Sequence, residues 1–455
     1  MKWIALLAVL ALLPVAIGWL RANPRKLPQV MFALGVLQFV AGLLHMYVAP
    51  ISWAYWPGFN KGLEVSIVDA IAIALIASAP AGVRIAHLRW PIVLYMLCVL
   101  LSATQTDVPL PTLFYAWQLG RVILLVTAVA IACRDPRVPT ALIRGLIVGL
   151  AFQAVMSIVD RAQGALQAAG TFGHQNTLGM ITHFVVFPSL AVLLATKKEK
   201  WMWLGPVAGA IIAILAASRA TLGLAGAGVV LLLFLSLVRR PTARKRGVAA
   251  MGIIGLAIAA PLAMTTLSER FKEIPLGGYD ERAAFERAAW AMVHDHPFGV
   301  GSNHYVIVAN TKGYSNRAGV IPTFGSRSAH VHNAYLLNAA ETGYIGLVAF
   351  VLMLVWPIVA ALRCAWRFRR DPRGELLLGL ATALIVVALH SKYEWIFVTT
   401  GLEYFYAIAV GLIAAIAQQM GYWAPKRRKQ PVRRRDADDA SEADGDAPVA
   451  VPAGA

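Results

Sequence analysis

Hydrophobic and polar positions fall in long blocks along this chain rather than alternating within a helical turn. Apolar runs able to cross about 30 Å of hydrocarbon lie near residues 2–20, 29–49, 63–82, 90–104, 112–132, 139–160, 178–196, 201–217, 220–238, 247–265, 333–361, 375–391 and 396–418. They predict about thirteen membrane helices, because only helices and closed barrels satisfy their backbone groups inside a bilayer. One polar block, residues 266–331, breaks the pattern. It is too long for a connector, since structureless loops beyond about 12–15 residues are usually functional or disordered. Within it, Tyr279 to Val293 reads as a helix, with Ala283, Phe285, Ala288, Trp290 and Met292 interleaved among Asp280, Glu281, Arg282, Glu286 and Arg287. Phe298 to Asn303 reads as a Gly-rich turn able to bring backbone N–H groups close to a ligand. The expected organisation is a helix bundle over 1–265, a loop domain over 266–331, a second set of helices over 332–420 and a tail over 421–455.

Composition sharpens this to a polytopic, all-α integral membrane protein. Hydrophobic residues make up 59% and charged residues 14%, against about a quarter charged in soluble domains. The formal charge of +18 resides mainly in every second connection: Arg21/Arg25/Lys26, Arg84/Arg89, Arg134/Arg137, Lys197/Lys198/Lys200, the basic run from Arg239 to Arg246, and Arg363/Arg367/Arg369/Arg370/Arg373. Short cytoplasmic loops are enriched in Lys and Arg, so the alternation places the N-terminus and residues 266–331 outside and the C-terminus inside. Membrane lipids with anionic headgroups account for the charge, and nucleic acid is not expected as a partner. The tail passes from a basic stretch, Lys426 to Arg435, into an acidic one beginning at Asp436, and reads as disordered. Cys98, Cys133 and Cys364 imply no disulfide framework. The first apolar run lacks a clean cleavage site and is retained as a helix.

The candidate chemistry sits where the polar block meets an apolar helix. His332-Asn333 is followed by Gly343 and then Gly346-Leu347, which puts an imidazole and an amide at a membrane surface. This spacing resembles the signature of the O-antigen ligase family and its polymerase and O-oligosaccharyltransferase relatives. Gly170-Thr171-Phe172-Gly173-His174-Gln175-Asn176, Ser218-Arg219, and Arg287 with Trp290 and His296-Pro297-Phe298-Gly299-Val300-Gly301 resemble further family motifs in the same order. The resemblance covers about residues 165–360. It implies a GT-C-like membrane fold of about twelve helices in the bacterial inner membrane, with a periplasmic loop and a periplasm-facing active site. It also implies transfer of a glycan from undecaprenyl diphosphate to an acceptor hydroxyl. A lipid A core sugar as acceptor makes a ligase, the favoured reading. A growing glycan makes a polysaccharide polymerase, and a Ser or Thr a protein O-oligosaccharyltransferase. A transporter of lipid-linked glycan is the reading of another class, and no internal repeat favours it.

That chemistry assigns roles to residues. A diphosphate leaving group calls for guanidinium groups, and Arg219 and Arg287 are the first candidates, with Arg282 third. The acceptor hydroxyl calls for a base near neutral pH, for which His332 is suited, with Asn333 orienting it or holding a sugar hydroxyl. His330, His174 and Asn176 are candidate substrate contacts. Arg121 and Glu341 each lie roughly 13 Å into their helices, counting about 1.5 Å per residue, and are expected to pair or to hold the diphosphate between them. Arg219 as a plain helix end, and Arg287 in a solvated pair with Asp280 or Glu281, are the competing readings. Gly343 and Gly346 are expected to serve close helix packing. His294, Asp295, His296, His304, His330 and His332 share one region but lack zinc-site spacing. No cofactor or metal is expected, and the reaction is read as a metal-independent, inverting glycosyl transfer.

Overall fold

Each of the thirteen apolar runs carries a helix in the computed structural model, which describes residues 2–80, 87–273 and 281–423. The first ten are α1 (Lys2–Ala22), α2 (Leu27–Val40), α3 (Ile67–Ser78), α4 (Trp90–Ser102), α5 (Leu110–Ala132), α6 (Val138–Ala162), α7 (Gln175–Ala195), α8 (Leu204–Leu215), α9 (Arg219–Arg239) and α10 (Ala243–Glu273). In the polar block, residues 266–273 continue α10, and the described residues from 281 onward form four shorter helices: α11 (Glu281–Asp295), α12 (Tyr305–Thr311), α13 (Tyr314–Arg317) and α14 (Phe324–Arg327). Then come α15 (Ala334–Arg367), α16 (Arg373–His390) and α17 (Thr400–Gln419). The basic-to-acidic tail expected beyond residue 423 lies outside the described residues.

Eight of these helices (α5, α6, α7, α9, α10, α15, α16 and α17) are long and apolar enough to cross a membrane. α3, α4 and α8 are shorter apolar helices, and α4 and α8 are extended by adjoining turns. The run expected as a helix over 29–49 stops at Val40 instead. His45, at φ 50°, turns the chain out of the helix, and Tyr47–Val48 (β1) then pairs antiparallel with Val65–Ser66 (β2).

Helices α7 and α17 form the centre, with 94% and 89% of their apolar windows enclosed by protein, whereas α9 and α10, at 28% and 12%, lie at the rim. α7 packs on α16, α17 on α5, and α2 on α6. The α2–α6 contact needs glycine: a Cβ on Gly145 would stand 2.0 Å from the Phe32 carbonyl oxygen, and one on Gly35 would stand 2.7 Å from that of Leu142. Small residues allow such close approach where no hydrophobic force drives helices together in lipid.

The connections gather by type at the two ends of the bundle. At one end the polar block meets the start of α5, where Thr112 donates to the Ser302 carbonyl at 2.9 Å. The connection before α3 joins it through Asn303, whose Nδ2 donates to the Asn60 carbonyl at 2.6 Å. At the opposite end, Arg369 bonds the Arg239 carbonyl at 3.1 Å and Gln419 bonds the Cys133 carbonyl at 2.6 Å.

The expected pairing of Arg121 with Glu341 does not occur. Arg121 faces α3 and binds Asp69 at 2.9 Å and Glu64 at 3.3 Å. Glu341 faces the polar block, accepting from the Asn303 N–H at 2.8 Å and the Tyr305 N–H at 2.9 Å. Equal depth left the rotation of each helix open, and each charge met a nearer partner.

Candidate active site

The foot of α15 sets the position of His332. Asn333 caps the helix, its side-chain oxygen accepting from the N–H groups of Tyr335 at 3.1 Å and Leu336 at 3.2 Å, which satisfies donors that the first helical turn leaves open. That oxygen is engaged in capping, which fixes the backbone next to His332. The N–H of Ala334 also donates to the Ser391 carbonyl at 2.8 Å. His332 is thereby seated against the connection between α16 and α17.

That connection supplies Glu394, which the sequence reading did not select. Its side chain is 2% exposed, and its Oε2 lies 3.4 Å from His332 Nδ1. The separation is in ion-pair range, although the angle leaves Nδ1 without a formal hydrogen bond. The other carboxylate oxygen accepts from Asn176 Nδ2 at 2.5 Å and Arg282 at 3.2 Å. One buried carboxylate therefore joins the start of α7, the start of α11 and the foot of α15. Burial pushes the Glu394 carboxyl upward, but His332, Arg282 and His174 outweigh that effect and hold it below the ordinary carboxylate range. It is ionised at neutral pH. Phe285 of α11 presents its ring edge-on to the His332 imidazole, 5.9 Å between centroids.

The other candidates divide. Asn176 and Arg282 join the group directly. His174 caps α7, its Nδ1 accepting from the Asn176 N–H at 3.2 Å, so it sets the helix start that aims Asn176. His330 is buried and stacks on Trp395 with ring centroids 4.2 Å apart. Burial, with a smaller contribution from His332, pushes it down to about 3, so it is a neutral packing group rather than the substrate contact expected. Arg219 is the first residue of α9, after the Ser218 cap. Two residues on, Thr221 crowds Gly179 of α7 so closely that a Cβ there would meet its hydroxyl at 2.1 Å, which brings Arg219 to the α7 end bearing His174 and Asn176. Arg287 reaches toward α13, donating to the Ala318 carbonyl at 2.9 Å. Five residues separate it from Arg282, about 140° around the helix, and it is Arg282 that faces Glu394.

The Gly-rich turn is a clasp rather than a ligand cradle. The N–H groups of Val300 and Gly301 donate to the carbonyls of Ala340 and Glu341 at 3.1 and 3.0 Å. Ser302 N–H donates to the Ser102 hydroxyl at 3.0 Å, and those of Asn303 and Tyr305 bind the Glu341 carboxylate. A buried carboxylate needs such donors, so Glu341 fastens the turn to α15. Gly343 belongs to the same clasp: at φ 68° and ψ −175° it interrupts the helix, and a Cβ there would lie 2.4 Å from the Pro297 carbonyl oxygen. It packs against the turn, not against another helix as expected. Arg121 is held by Asp69 and Glu64 in place of Glu341.

Glu394 and Trp395 were hidden because they lie outside the motifs, 62 and 63 positions past His332 by number. The available signal was a lone carboxylate in a short, aromatic connection between two apolar runs. Among the described residues, no group of three or more His, Cys, Asp or Glu side chains is arranged to hold a metal ion.

Residues 204–351 match the family described as O-antigen ligase. Over that segment the chain is similar to the O-antigen ligase family. It is a multi-pass membrane protein. The matched segment runs from α8 into α15 and contains Arg219, Arg282, Arg287, His332 and Asn333, while Asn176 and Glu394 lie outside it. The chain is also similar to the exopolysaccharide production protein ExoQ of Rhizobium meliloti (strain 1021), 27% identical over 270 residues. That match covers 54% of this chain and 60% of the relative.

Proposed function

We propose that this protein transfers a glycan from undecaprenyl diphosphate to an acceptor hydroxyl at the membrane surface, as an O-antigen ligase-like glycosyltransferase. The observation that carries this reading is the meeting of His332 with buried, ionised Glu394 in a group completed by Arg282 and Asn176. Glu394 faces Nδ1 of the imidazole, which leaves Nε2 to take the acceptor proton. The acceptor oxygen then bonds the anomeric carbon as the carbon–oxygen bond to the diphosphate breaks. The electron pair leaves with the diphosphate, whose charge Arg282, Arg219 and Arg287 are suited to stabilise. Glu394 acts as a positioning residue, holding the ring and favouring the imidazolium that forms. Direct displacement inverts the configuration at the anomeric carbon, and no metal enters the scheme. Residues 281–331 serve as the outer cover of this site.

A second reading shares the chemistry and differs in acceptor. The similarity to a protein named for exopolysaccharide production favours a growing glycan, making the protein a polymerase.

The test is reconstitution into liposomes with undecaprenyl-diphosphate-linked glycan and alternative acceptors. A ladder of glycan lengths identifies a polymerase, and a shifted lipid A core identifies a ligase. His332→Ala should slow transfer by about 10²- to 10⁴-fold, the usual contribution of a general base. Glu394→Gln should cost less, at least about tenfold, and alter the pH–rate profile, because it removes charge and orientation while leaving the imidazole. Retention at the anomeric carbon, full activity in His332→Ala, or lipid movement without bond formation would remove the proposal.

A further inference from the structure

A cavity of about 380 Å³ is walled by the end of α2, the connection leading to α3, α5 and the start of α17. Its volume lies in the range of small-molecule sites, about 300–1,000 Å³. Three links join it to the candidate active site. Phe59, in its wall, lies 5.8 Å from the His330 ring and 6.4 Å from that of Trp395. Phe172, also in the wall, precedes His174 by two residues. Thr399, at the end of the connection that carries Glu394, and Thr400, the first residue of α17, also line it.

The wall chemistry selects the ligand. Arg121 is its cationic residue, and that charge is matched by Asp69 and Glu64 at 2.9 and 3.3 Å. The Tyr404 hydroxyl donates to Asp69, and its ring lies 5.2 Å from the guanidinium. Glu64 in the wall and Asp69 behind it neutralise the guanidinium, which leaves no unmatched cation in the wall for a diphosphate. An acyl or isoprenoid tail gains nothing from charged groups in its wall. Glu64 is 32% exposed and keeps acceptor positions for a hydroxyl donor. Phe59, Phe172 and Tyr404 supply flat apolar surface beside it. Apolar faces with a few convergent acceptors fit a ring that is apolar on its faces and bears hydroxyls around its rim.

We propose that this cavity binds a neutral sugar residue of the acceptor glycan and presents its neighbouring hydroxyl to His332. The proposal rests on the glycan-transfer reading for its purpose, but its binding can be measured without turnover. Gly401, within α17, lines the cavity, and a Cβ placed there meets nothing within 4 Å. Gly401→Phe therefore fills the space without a backbone clash. Gly42 lines the cavity from the other side, with equally open space, and Gly42→Phe is the second variant should the first fail to fold. The probe is the host cell's own surface polysaccharide, cut to lipid-free oligosaccharides of a few sugars and titrated into the full chain in nanodiscs. The wild type and His332→Ala should bind it, and a filled-cavity variant of unchanged melting temperature should bind at least tenfold more weakly. In the transfer assay the same variant should raise the acceptor KM at least tenfold and leave the donor KM unchanged. No binding by the wild type, or undiminished binding in both filled variants, would overturn the cavity assignment. Unimpaired transfer by His332→Ala, with oligosaccharide binding lost on filling the cavity, would remove the base and keep the binding site.

Discussion

His330 shows how a single side chain can make the molecule sensitive to acid. It is buried against Trp395 and held at about 3, whereas in an unfolded chain it titrates near about 6.5. Below about pH 6.5 the unfolded state binds a proton that the folded state refuses, so stability present at neutral pH falls as the pH drops toward 3. His330→Phe keeps the stacked ring and removes this proton. Thermal melts between about pH 7 and 4 should show a decline in the wild type that is shallower in the variant by about 3 kcal/mol. Parallel curves would mean that the group titrates normally. At this scale the sequence was partly legible. His332 stood out because a spaced motif accompanied it, whereas Glu394 had no local signature, and its role arises only from the residues that surround it.

Helices carry a second lesson, because basic residues read as topology markers turn out to include structural anchors. Arg239, at the end of α9, and Lys245, near the start of α10, both bind Glu375 of α16 at 2.6 Å, and Ser236 donates to the same carboxylate at 2.6 Å. Arg239 also donates to the Ala365 and Phe368 carbonyls, each at 2.9 Å. Counting charge in connections cannot distinguish a solvated arginine from one enclosed among four segments. Glu375→Ala leaves two buried cations without their carboxylate and should cost about 3–5 kcal/mol. The exposed Arg144–Glu199 pair, also at 2.6 Å with the arginine 51% exposed, is the control: Glu199→Ala should cost no more than about 1 kcal/mol. Equal unfolding midpoints for the two variants would refute the distinction. Within α15, the break at Gly343 was likewise unreadable. Its spacing suggested helix packing, and only the turn pressed against it revealed the need for a left-handed residue.

For the molecule as a whole, the alternation of basic and non-basic connections leads to an orientation that labelling can test. Phe324, 90% exposed on α14, should lie outside, and exposed Arg240, after α9, should lie inside. In a chain with Cys98, Cys133 and Cys364 replaced, Phe324→Cys should react with a membrane-impermeant maleimide on intact spheroplasts. Arg240→Cys should react only after permeabilisation. The reverse pattern would turn the proposed site toward the cytoplasm and exclude a periplasmic acceptor. The same alternation anticipated which connections share an end of the bundle, because each crossing of a slab must return the chain to the opposite side.

What this sequence determines alone is one-dimensional: where the chain is apolar enough to form a helix, where a polar block interrupts, and where His332-Asn333 begins the next span. Hydrophobicity and capping act over a few neighbouring residues, so they can be read directly. Only the tertiary structure decided which charges meet. Glu394 contacts Asn176 across 218 positions and Arg282 across 112, and Arg121 turned to Asp69 rather than Glu341. A helix rotates about 100° per residue, so a small change in register or packing redirects a side chain to another partner, and such partnerships are settled by the assembled bundle.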